Sequence, residues 1–445
     1  MKKKLIFFIT LLVASVLFVP NAFAATPAPE LVTFGGKVIL LANGNEVTIE
    51  ATETAGYTAV AKYEGGEVLL PAGTTIFGGM HNSTEKVDTS IIIKGGTVKN
   101  VFGGGLHISS VGTANIVVEG GTITGSIMGG GYEEFVNCGL GDFNKVTEAD
   151  VMASTTRVDE ANITINGGNI DGILVYGGGG AHSYTGKANI TINDHEGKIA
   201  YLIAGGSNGY TGEAAIEMNG GATEVVQGVN RGSMESIEIV INGGEVTNAY
   251  AGGETPDKKV NGTFEDATLI ITGGKVENVN PGTNGVAQDG SNISAKETVS
   301  VKYNKDSVTN IDEEEFEEDS IIKTVTITFV AGEESESKEI PYGEKLTEDE
   351  LASIEEELTE IFAKTDYTFA GFYADKDFKE EYDMLAEFKE DATIYINFVQ
   401  AKEETGSKEE IKNPNTSDIN LYGTIIAMVL AGTGLGYTIK KRKFN

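Results

Sequence analysis

The chain has 445 residues, and its formal net charge of -33 with 40% hydrophobic residues indicates an acidic protein able to form two or three folded units. An acidic surface repels nucleic acid and anionic lipid, so we expect no nucleic-acid partner. The 58 glycines exceed the ordinary share of about 7% without a Gly-X-Y period, which excludes collagen and favours a turn-rich all-β chain. The lone Cys138 excludes a disulfide-stapled scaffold.

Residues 1–24 have the features of a secretory signal peptide. Three lysines precede an apolar stretch, and Ala22-Phe23-Ala24 is a small-x-small pattern of the kind at which such peptides are cleaved. We therefore predict cleavage between Ala24 and Ala25. A buried N-terminal helix is the alternative, but the charge, the apolar length and the cleavage pattern occur together, which favours export.

Residues 413–445 end the chain with a short motif, an apolar stretch and a basic tail. The motif consists of Asn413, Pro414, Asn415, Thr416 and Ser417. Residues 419–439 are long enough to form a transmembrane helix, and the cationic residues 440–443 would stay on the cytoplasmic side. Hydropathy alone leaves a permanent transmembrane anchor open as an alternative.

The order of these three features resembles the sorting signals of sortase-anchored surface proteins of Gram-positive bacteria. The resemblance implies that a sortase cuts between Thr416 and Ser417 and joins Thr416 covalently to peptidoglycan. It also implies an extracellular location in the cell wall, with membrane contact only through the C-terminal segment of the precursor. The motif departs from the commoner Leu-Pro-x-Thr-Gly at Asn413 and Ser417, so the class of sortase stays open.

Pairs of glycines recur through the central part of the chain, mostly 23 to 30 residues apart. The pairs are Gly95-Gly96, Gly120-Gly121, Gly167-Gly168, Gly220-Gly221, Gly243-Gly244 and Gly273-Gly274, with a degenerate copy at 194–197. The residues two and four positions before each pair are apolar in every copy, which predicts a strand with one buried face. A second short strand follows each pair. Such a unit cannot bury its own apolar face, so the units must stack.

Stacked units of about 25 residues predict a mainly β fold, a right-handed parallel β-helix over residues 69–304 with cap strands over 25–68. The pattern resembles the parallel β-helix repeats of bacterial surface proteins. Strand direction is not visible in a repeat, so an antiparallel sandwich or trefoil stays open. Asparagine often precedes the glycine pair, as at Asn193, Asn219 and Asn242. We expect these residues to take the left-handed backbone of a tight bend and to form a ladder of amide hydrogen bonds.

The periodicity changes after an acidic segment, residues 305–320, which we interpret as a linker. Residues 321–400 alternate like strands at 324–332, 369–375 and 392–398 and have helical spacing at 347–364, which predicts a small α+β domain. Thr347 and Glu350 form a capping box. The helix is predicted to bury the stripe Leu351, Ile354, Leu358 and Ile361.

Four segments of this region, 325–329, 341–343, 367–375 and 393–398, resemble the Listeria-Bacteroides repeat, also called the B repeat of internalin-type proteins. The resemblance implies a β-grasp-like module that serves as a spacer or an adhesive unit. Phe372 and Phe398 stand where that family usually has tryptophan. A second linker, residues 401–412, joins the module to the sorting signal.

One candidate site is a column of turn residues after the second glycine clusters. His81, His107, Glu133 and His182 share one repeat position, and coils about 4.8 Å apart would let neighbours bind a metal through imidazole and carboxylate groups. A solvated column of turn residues is the alternative. A second candidate is the acidic insertion 132–160 around Cys138, either a loop that binds a ligand such as Ca²⁺ or an ordinary excursion from the coil.

Parallel β-helices include polysaccharide lyases and glycosidases, so catalysis has to be considered. The repeat region has only Arg157 and Arg231 as arginines and no evident pair of clustered carboxylates. We therefore expect neither catalytic residues nor a cofactor. The sequence favours an adhesin-like surface protein whose β-helix binds host, matrix or glycan ligands. A carbohydrate-active enzyme (lyase or glycosidase) and a purely structural surface component are the alternatives.

Overall fold

The structure, a computed structural model, describes residues 26–132, 156–180, 182–253, 262–282, 298–315, 320–362 and 367–400. Several predicted features lie outside the described residues: the signal peptide with its cleavage site at Ala24 and Ala25, Glu133 and most of the insertion, the linker 401–412, and the sorting signal 413–445. Among the described residues no helix is long and apolar enough to cross a membrane.

The protein is mainly β, and its long parallel sheets are consistent with a solenoid of the β-helix type. Strands are numbered in chain order. Sheet A contains, in spatial order, β1 (Glu30–Phe34), β2 (Lys37–Leu41), β6 (Thr75–Phe77), β9 (Val101–Phe102), β12 (Ser126–Met128), β14 (Leu174–Tyr176), β16 (Ile199–Ile203), β18 (Ala222–Gln227), β20 (Glu245–Tyr250), β23 (Lys275–Asn280) and β25 (Val308–Ile311).

Sheet B contains the longer strands. In spatial order they are β28 (Tyr367–Tyr373), β29 (Ala392–Gln400), β26 (Ile321–Ala331), β24 (Thr298–Asn304), β22 (Asp266–Ile271), β19 (Arg231–Ile241), β17 (Ser207–Met218), β15 (Tyr184–Ile192), β13 (Thr156–Ile165), β10 (Ser109–Val118), β7 (Lys86–Ile93), β3 (Glu46–Glu50), β4 (Ala59–Tyr63) and β5 (Gly66–Leu70), with β21 (Gly262–Thr263) beside β19 and β27 (Glu334–Pro341) beside β26. Two short strands, β8 (Thr97–Val98) and β11 (Thr122–Ile123), pair at a turn.

The pairing is parallel from coil to coil. In sheet B, each strand from β7 to β24 pairs in parallel with the equivalent strand of the next repeat, so the coils stack as predicted and the antiparallel alternatives are wrong for this region. Strand β10 pairs directly with β13, and Ile116 lies opposite Ile163. The insertion between these strands therefore does not interrupt the stack.

Side chains that face the interior form columns along the solenoid. One column of sheet B consists of Val47, Ile91, Ile116, Ile163, Ile190, Ile216, Ile239, Leu269 and Val301, all at most 1% exposed. These residues include the position four before each glycine pair, so the predicted buried face is confirmed. Burying a side chain of this size contributes about 1.5–3 kcal/mol, and the repetition of that contribution holds successive coils together.

The predicted asparagine ladder is confirmed. Each amide Nδ2 donates to the Oδ1 of the preceding coil: Asn193 to Asn166 at 2.7 Å, Asn219 to Asn193 at 3.0 Å, and Asn242 to Asn219 at 3.0 Å. The predicted left-handed backbone of these asparagines is wrong. The second glycine of each pair, such as Gly221 (φ 77°), takes that conformation instead, because a residue without a Cβ does so at little cost.

The N-terminal segment extends both sheets beyond the first coil. Strand β3 pairs in parallel with β7, and β4 and β5 continue sheet B in antiparallel order. In sheet A, β2 pairs in parallel with β6, whereas β1 forms an antiparallel edge on β2. These strands correspond to the segment predicted as a cap, residues 25–68.

The solenoid continues without a break into the C-terminal strands. Strand β26 pairs in parallel with β24, Val301 lying opposite Ile321, and it also pairs with β27 and β29. Two side-chain bonds join the strands: Asn304 Nδ2 donates to Thr326 Oγ1 at 2.6 Å, and Thr324 Oγ1 donates to the carbonyl of Tyr303 at 3.1 Å. The segment 305–320, predicted as a linker, contains strand β25, which pairs with β23 because Val308 extends the sheet A ladder.

Helix α1 (Glu348–Phe362) packs on these C-terminal strands. Its capping box is confirmed: the Thr347 amide donates to Glu350 Oε2 at 2.8 Å, and the Glu350 amide donates to Thr347 Oγ1 at 3.2 Å. Leu358 is buried as predicted, but Ile361 is 46% exposed and Phe362 is buried in its place. Four residues advance a helix by about 400°, closer to a full turn than three residues do, so Phe362 returns to the face of Leu358.

Two buried hydroxyls allow a direct test of this interior. Thr211 is fully buried and its Oγ1 has no hydrogen-bond partner, whereas Thr89 Oγ1 donates to the carbonyl of Gly103 at 2.7 Å. We expect Thr211→Val to leave the free energy of unfolding unchanged or raise it by up to about 1 kcal/mol, and Thr89→Val to lower it by about 1–2 kcal/mol. Urea titration of both variants measures the difference, and a larger loss for Thr211→Val would contradict this packing.

Candidate functional site

The outer face of sheet A carries large side chains that the sequence analysis missed. In each strand of sheet A, the side chain next to the one that faces the core points away from it, and these side chains form a second column along the sheet. The column consists of Leu41, Phe77, Phe102, Met128, Tyr176, Ile203, Gln227 and Tyr250, and all of them except the half-buried Met128 and Tyr250 are buried. Four of its members, from Phe77 to Tyr176, stand immediately before a glycine cluster. That recurrence of a large residue before the glycines was the signal available in the sequence.

The N-terminal part of this outer column forms an apolar cluster of its own. Phe77 and Phe102 stack with ring centroids 4.4 Å apart and planes 7° apart. Leu106 is 3% exposed beside them, and the half-buried rings of Phe34 and Tyr132 pack against the cluster. Phe77 and Phe102 come from neighbouring coils, so their stacking adds to the contact between the coils outside the main core.

A cavity of about 280 Å³ lies at this cluster. Its lining combines the apolar cluster with a polar row on the neighbouring outward positions of sheet A, Thr75, Asn100 and Ser126, and with Lys37. Asn100 Nδ2 donates to Thr75 Oγ1 at 3.0 Å, and Ser126 donates to Asn100 Oδ1 from its amide at 3.0 Å and from its hydroxyl at 3.2 Å. The cavity therefore has apolar walls and an ordered polar floor, the usual composition of a small-molecule site.

The sequence predicted that His81, His107, Glu133 and His182 share one repeat position, but His81 lies opposite Leu106 of the next coil and not opposite His107. The rings of His81 and His107 lie 5.2 Å apart, and the ring of Phe34 lies 5.8 Å and 5.5 Å from them. Glu133 lies outside the described residues. Within the described ranges no group of three or more histidine, cysteine or acidic side chains is arranged to hold a metal ion. The contact with Phe34 gives these two histidines a packing role beside the cavity, and we do not propose a metal site.

A second, charged groove of about 580 Å³ lies on the outer face of sheet B. Its charged lining residues are Lys86, Asp88, Asp159, Glu160 and Lys187. Lys86 forms an ion pair with Asp159, and Asp88 Oδ1 accepts a hydrogen bond from the Thr113 amide at 2.8 Å. The hydrogen bond to Asp159 raises the pKa of Lys86, so its ammonium stays protonated and is unsuited to act as a base.

His195 has a structural role that the sequence analysis did not assign. It occupies the degenerate copy of the glycine pair and is 9% exposed, and its Nε2 accepts a hydrogen bond from the Ala222 amide of the next coil at 3.3 Å. This bond places the ring proton on Nδ1. Burial lowers the pKa of His195, because the charged imidazolium loses its hydration.

The lowered pKa predicts a pH dependence of stability. The unfolded chain binds a proton near the ordinary histidine pKa of 6.5, whereas the folded chain does so only at lower pH. The contribution of neutral His195 is therefore complete above pH 6.5 and is lost as the pH falls from 6.5 toward the folded-state pKa. We expect the free energy of unfolding to fall less between pH 7.5 and 5.5 in His195→Gln than in the native protein, and equal slopes would contradict the assignment.

In comparisons with known proteins, no family model, no curated protein sequence and no solved structure matches this chain. Its function is therefore inferred from the sites described above.

Proposed function

We propose that this chain is a secreted, wall-anchored surface protein that binds a ligand through the outer face of sheet A. The observation that supports binding is the cavity between the apolar cluster and the polar row of Thr75, Asn100 and Ser126. Such a combination excludes water from part of a ligand while satisfying its polar groups, which gives both affinity and orientation. The signals at residues 1–24 and 413–445 support display of this face outside the cell.

The finer features of the architecture belong to the same proposal. We infer that the solenoid is a right-handed parallel β-helix and that residues 321–400 form a β-grasp-like module of the Listeria-Bacteroides type. The shared apolar core of β26–β29 and α1, which includes Phe329, Leu358 and Ile394, supports a compact module. Because β26 also continues sheet B by pairing with β24, this module would be joined to the solenoid through backbone hydrogen bonds.

Anchoring is tested by Thr416→Ala, with Thr405→Ala as the matched control because Thr405 lies outside the sorting motif. We expect Thr416→Ala to shift the protein from the cell-wall fraction to the membrane or the medium and Thr405→Ala to leave it in the wall. Cell fractionation with immunoblotting distinguishes the two. Unchanged wall attachment of Thr416→Ala would refute the sorting assignment.

Binding is tested with the purified protein on an array of glycans and matrix proteins. We expect at least one ligand to bind the native protein and not to bind Ser126→Met, in which the longer side chain fills the cavity. Circular dichroism of the variant has to show an unchanged β fold. A ligand that binds the filled variant equally well would place the binding surface elsewhere. An array on which nothing binds would favour the purely structural alternative.

A carbohydrate-active enzyme is the second candidate, and the charged groove on sheet B is the feature that favours it. The groove brings two lysines together with three carboxylates on an outer sheet face. If the groove is catalytic, the protein will depolymerise an acidic or neutral polysaccharide, and Asp159→Asn and Lys187→Gln will each abolish the reaction. Release of no reducing ends or unsaturated products from a polysaccharide panel would exclude this function.

A further inference from the structure

We propose that the cavity on the outer face of sheet A binds a single sugar residue that carries a carboxylate, a hexuronate. This inference rests on the proposed function and names the class of ligand that the same site would take. Four observations support it: the size of the cavity, the hydrogen-bond donors and acceptors of the polar row, the apolar side chains of the walls, and the positive charge of Lys37.

The size limits the ligand to about one ring. The cavity measures about 280 Å³, just below the range of roughly 300–1,000 Å³ for sites of drug-sized ligands. That volume accommodates one sugar ring with its substituents. It is too small to bury a folded segment or a helix of a protein partner.

The floor provides both donors and acceptors. Both lone pairs of Asn100 Oδ1 accept bonds from Ser126, and one Asn100 amide hydrogen is donated to Thr75 Oγ1. The second Asn100 amide hydrogen and the Thr75 hydroxyl hydrogen remain to be donated, and Ser126 Oγ retains lone pairs that can accept. Neighbouring hydroxyls of a sugar can accept and donate at the same time, so they match this row. A purely apolar ligand would leave these groups unpaired, which weakens its binding.

The walls favour a ligand that also has an apolar surface. Phe77 and Phe102 are 3% and 7% exposed, and their stacked rings present apolar edges beside Met128 and Tyr132. The C–H groups of a sugar ring supply such a surface next to its hydroxyls. A small inorganic anion lacks it and would leave these walls in contact with water.

The positive charge of Lys37 favours a sugar that carries a carboxylate over a neutral sugar. Lys37 is the one charged residue among the described residues that line the cavity, and it is exposed to solvent. A chain with a net charge of -33 repels anions in general, so a lone cation at a ligand site is a specific attraction for one carboxylate. A phosphate group would be better served by an arginine fork, and the cavity lining contains no arginine.

The test measures binding of three probes to the purified protein by calorimetry and saturation-transfer NMR: glucuronate, glucose and benzoate. Glucose lacks the carboxylate, and benzoate lacks the hydroxyls. We expect glucuronate to bind at least tenfold more tightly than either of the others. Equal affinity for glucuronate and glucose, tighter binding of benzoate, or no binding of any probe would overturn the proposal.

Two lysine variants test whether the preference for glucuronate over glucose arises in this cavity. We expect Lys37→Gln to reduce the affinity for glucuronate to that for glucose, and Lys99→Gln, which removes an exposed lysine that does not line the cavity, to have no effect. Equal losses in both variants would show a general charge effect and overturn the proposal. If an array ligand binds and is insensitive to Lys37→Gln, the hexuronate inference fails while the proposed function stands. If no array ligand binds, both fail.

Discussion

Replacing Gly104 with alanine is expected to lower the free energy of unfolding by about 3 kcal/mol. Gly104 lies in the second glycine cluster of its coil, where the backbones of successive coils are in close contact. A Cβ at this position would lie 2.5 Å from the amide nitrogen and 2.6 Å from the Cα of Gly131 in the next coil. Both atoms belong to the backbone, so no side chain can rotate to relieve the overlap and the coils have to move apart.

Gly66→Ala is the matched control for this experiment. A Cβ at Gly66 would first meet the hydroxyl of Tyr63 at 2.9 Å, the far end of a flexible side chain that can move. We expect this variant to change the free energy of unfolding by less than about 0.5 kcal/mol. Thermal and urea unfolding followed by circular dichroism measure both. Equal stabilities of the two variants would show that the coils are not in backbone contact at Gly104.

Ile163→Ala is expected to cost about 3–4 kcal/mol, because Ile163 is 1% exposed in the middle of the inward column and its loss leaves a cavity between two coils. The neighbouring Thr164 points to the outer face, and Thr164→Ala should cost less than about 1 kcal/mol. Urea unfolding of the two variants gives the comparison. A similar cost for both substitutions would contradict the assignment of inward and outward faces.

The sequence alone predicted which strand residues face the interior, because the alternation of apolar residues with a period of two is repeated in every copy. A single apolar alternation at Ile163 and Ile165 would be ambiguous, but stacking requires the same alternation in each coil, and the repeats supply it. The asparagine ladder followed from the same repetition. Which residue of the turn takes the left-handed backbone did not, because both asparagine and glycine tolerate it and only the structure shows that glycine does so.

The candidate site was not found from the sequence because its residues come from two places, three successive coils and the N-terminal hairpin. The polar row of Thr75, Asn100 and Ser126 comes from three successive coils and has no common residue type, so it leaves no repeat signal. Lys37 and Phe34 reach the cavity from the antiparallel hairpin β1–β2, which forms the edge of sheet A through the pairing of β2 with β6, and the repeat pattern does not include this hairpin. Composition also obscured strand β25, because the acidic residues after it dominate the segment 305–320.

The continuity of sheet B into the C-terminal strands has a consequence for the end of the solenoid. A final coil presents unpaired backbone groups that promote association edge to edge, and β26 covers this edge of β24 by pairing with it. In β24, burial of Tyr303 and then its hydrogen bond to Glu313 at 2.6 Å raise the pKa of the Tyr303 phenol, so the phenol stays protonated and donates this bond. The C-terminal strands thus protect the solenoid as well as extending it.

The stacked coils are tested most directly by a distance between spin labels at positions 90 and 268, introduced as Ser90→Cys and Thr268→Cys in a Cys138→Ser background. Six parallel pairings connect these two positions along one outward column of sheet B. At about 4.8 Å per pairing, the two backbones lie about 29 Å apart. Double electron–electron resonance is expected to give one narrow distribution near that value, broadened by the label linkers. A distribution centred below about 20 Å, or one without a defined maximum, would contradict the parallel stack.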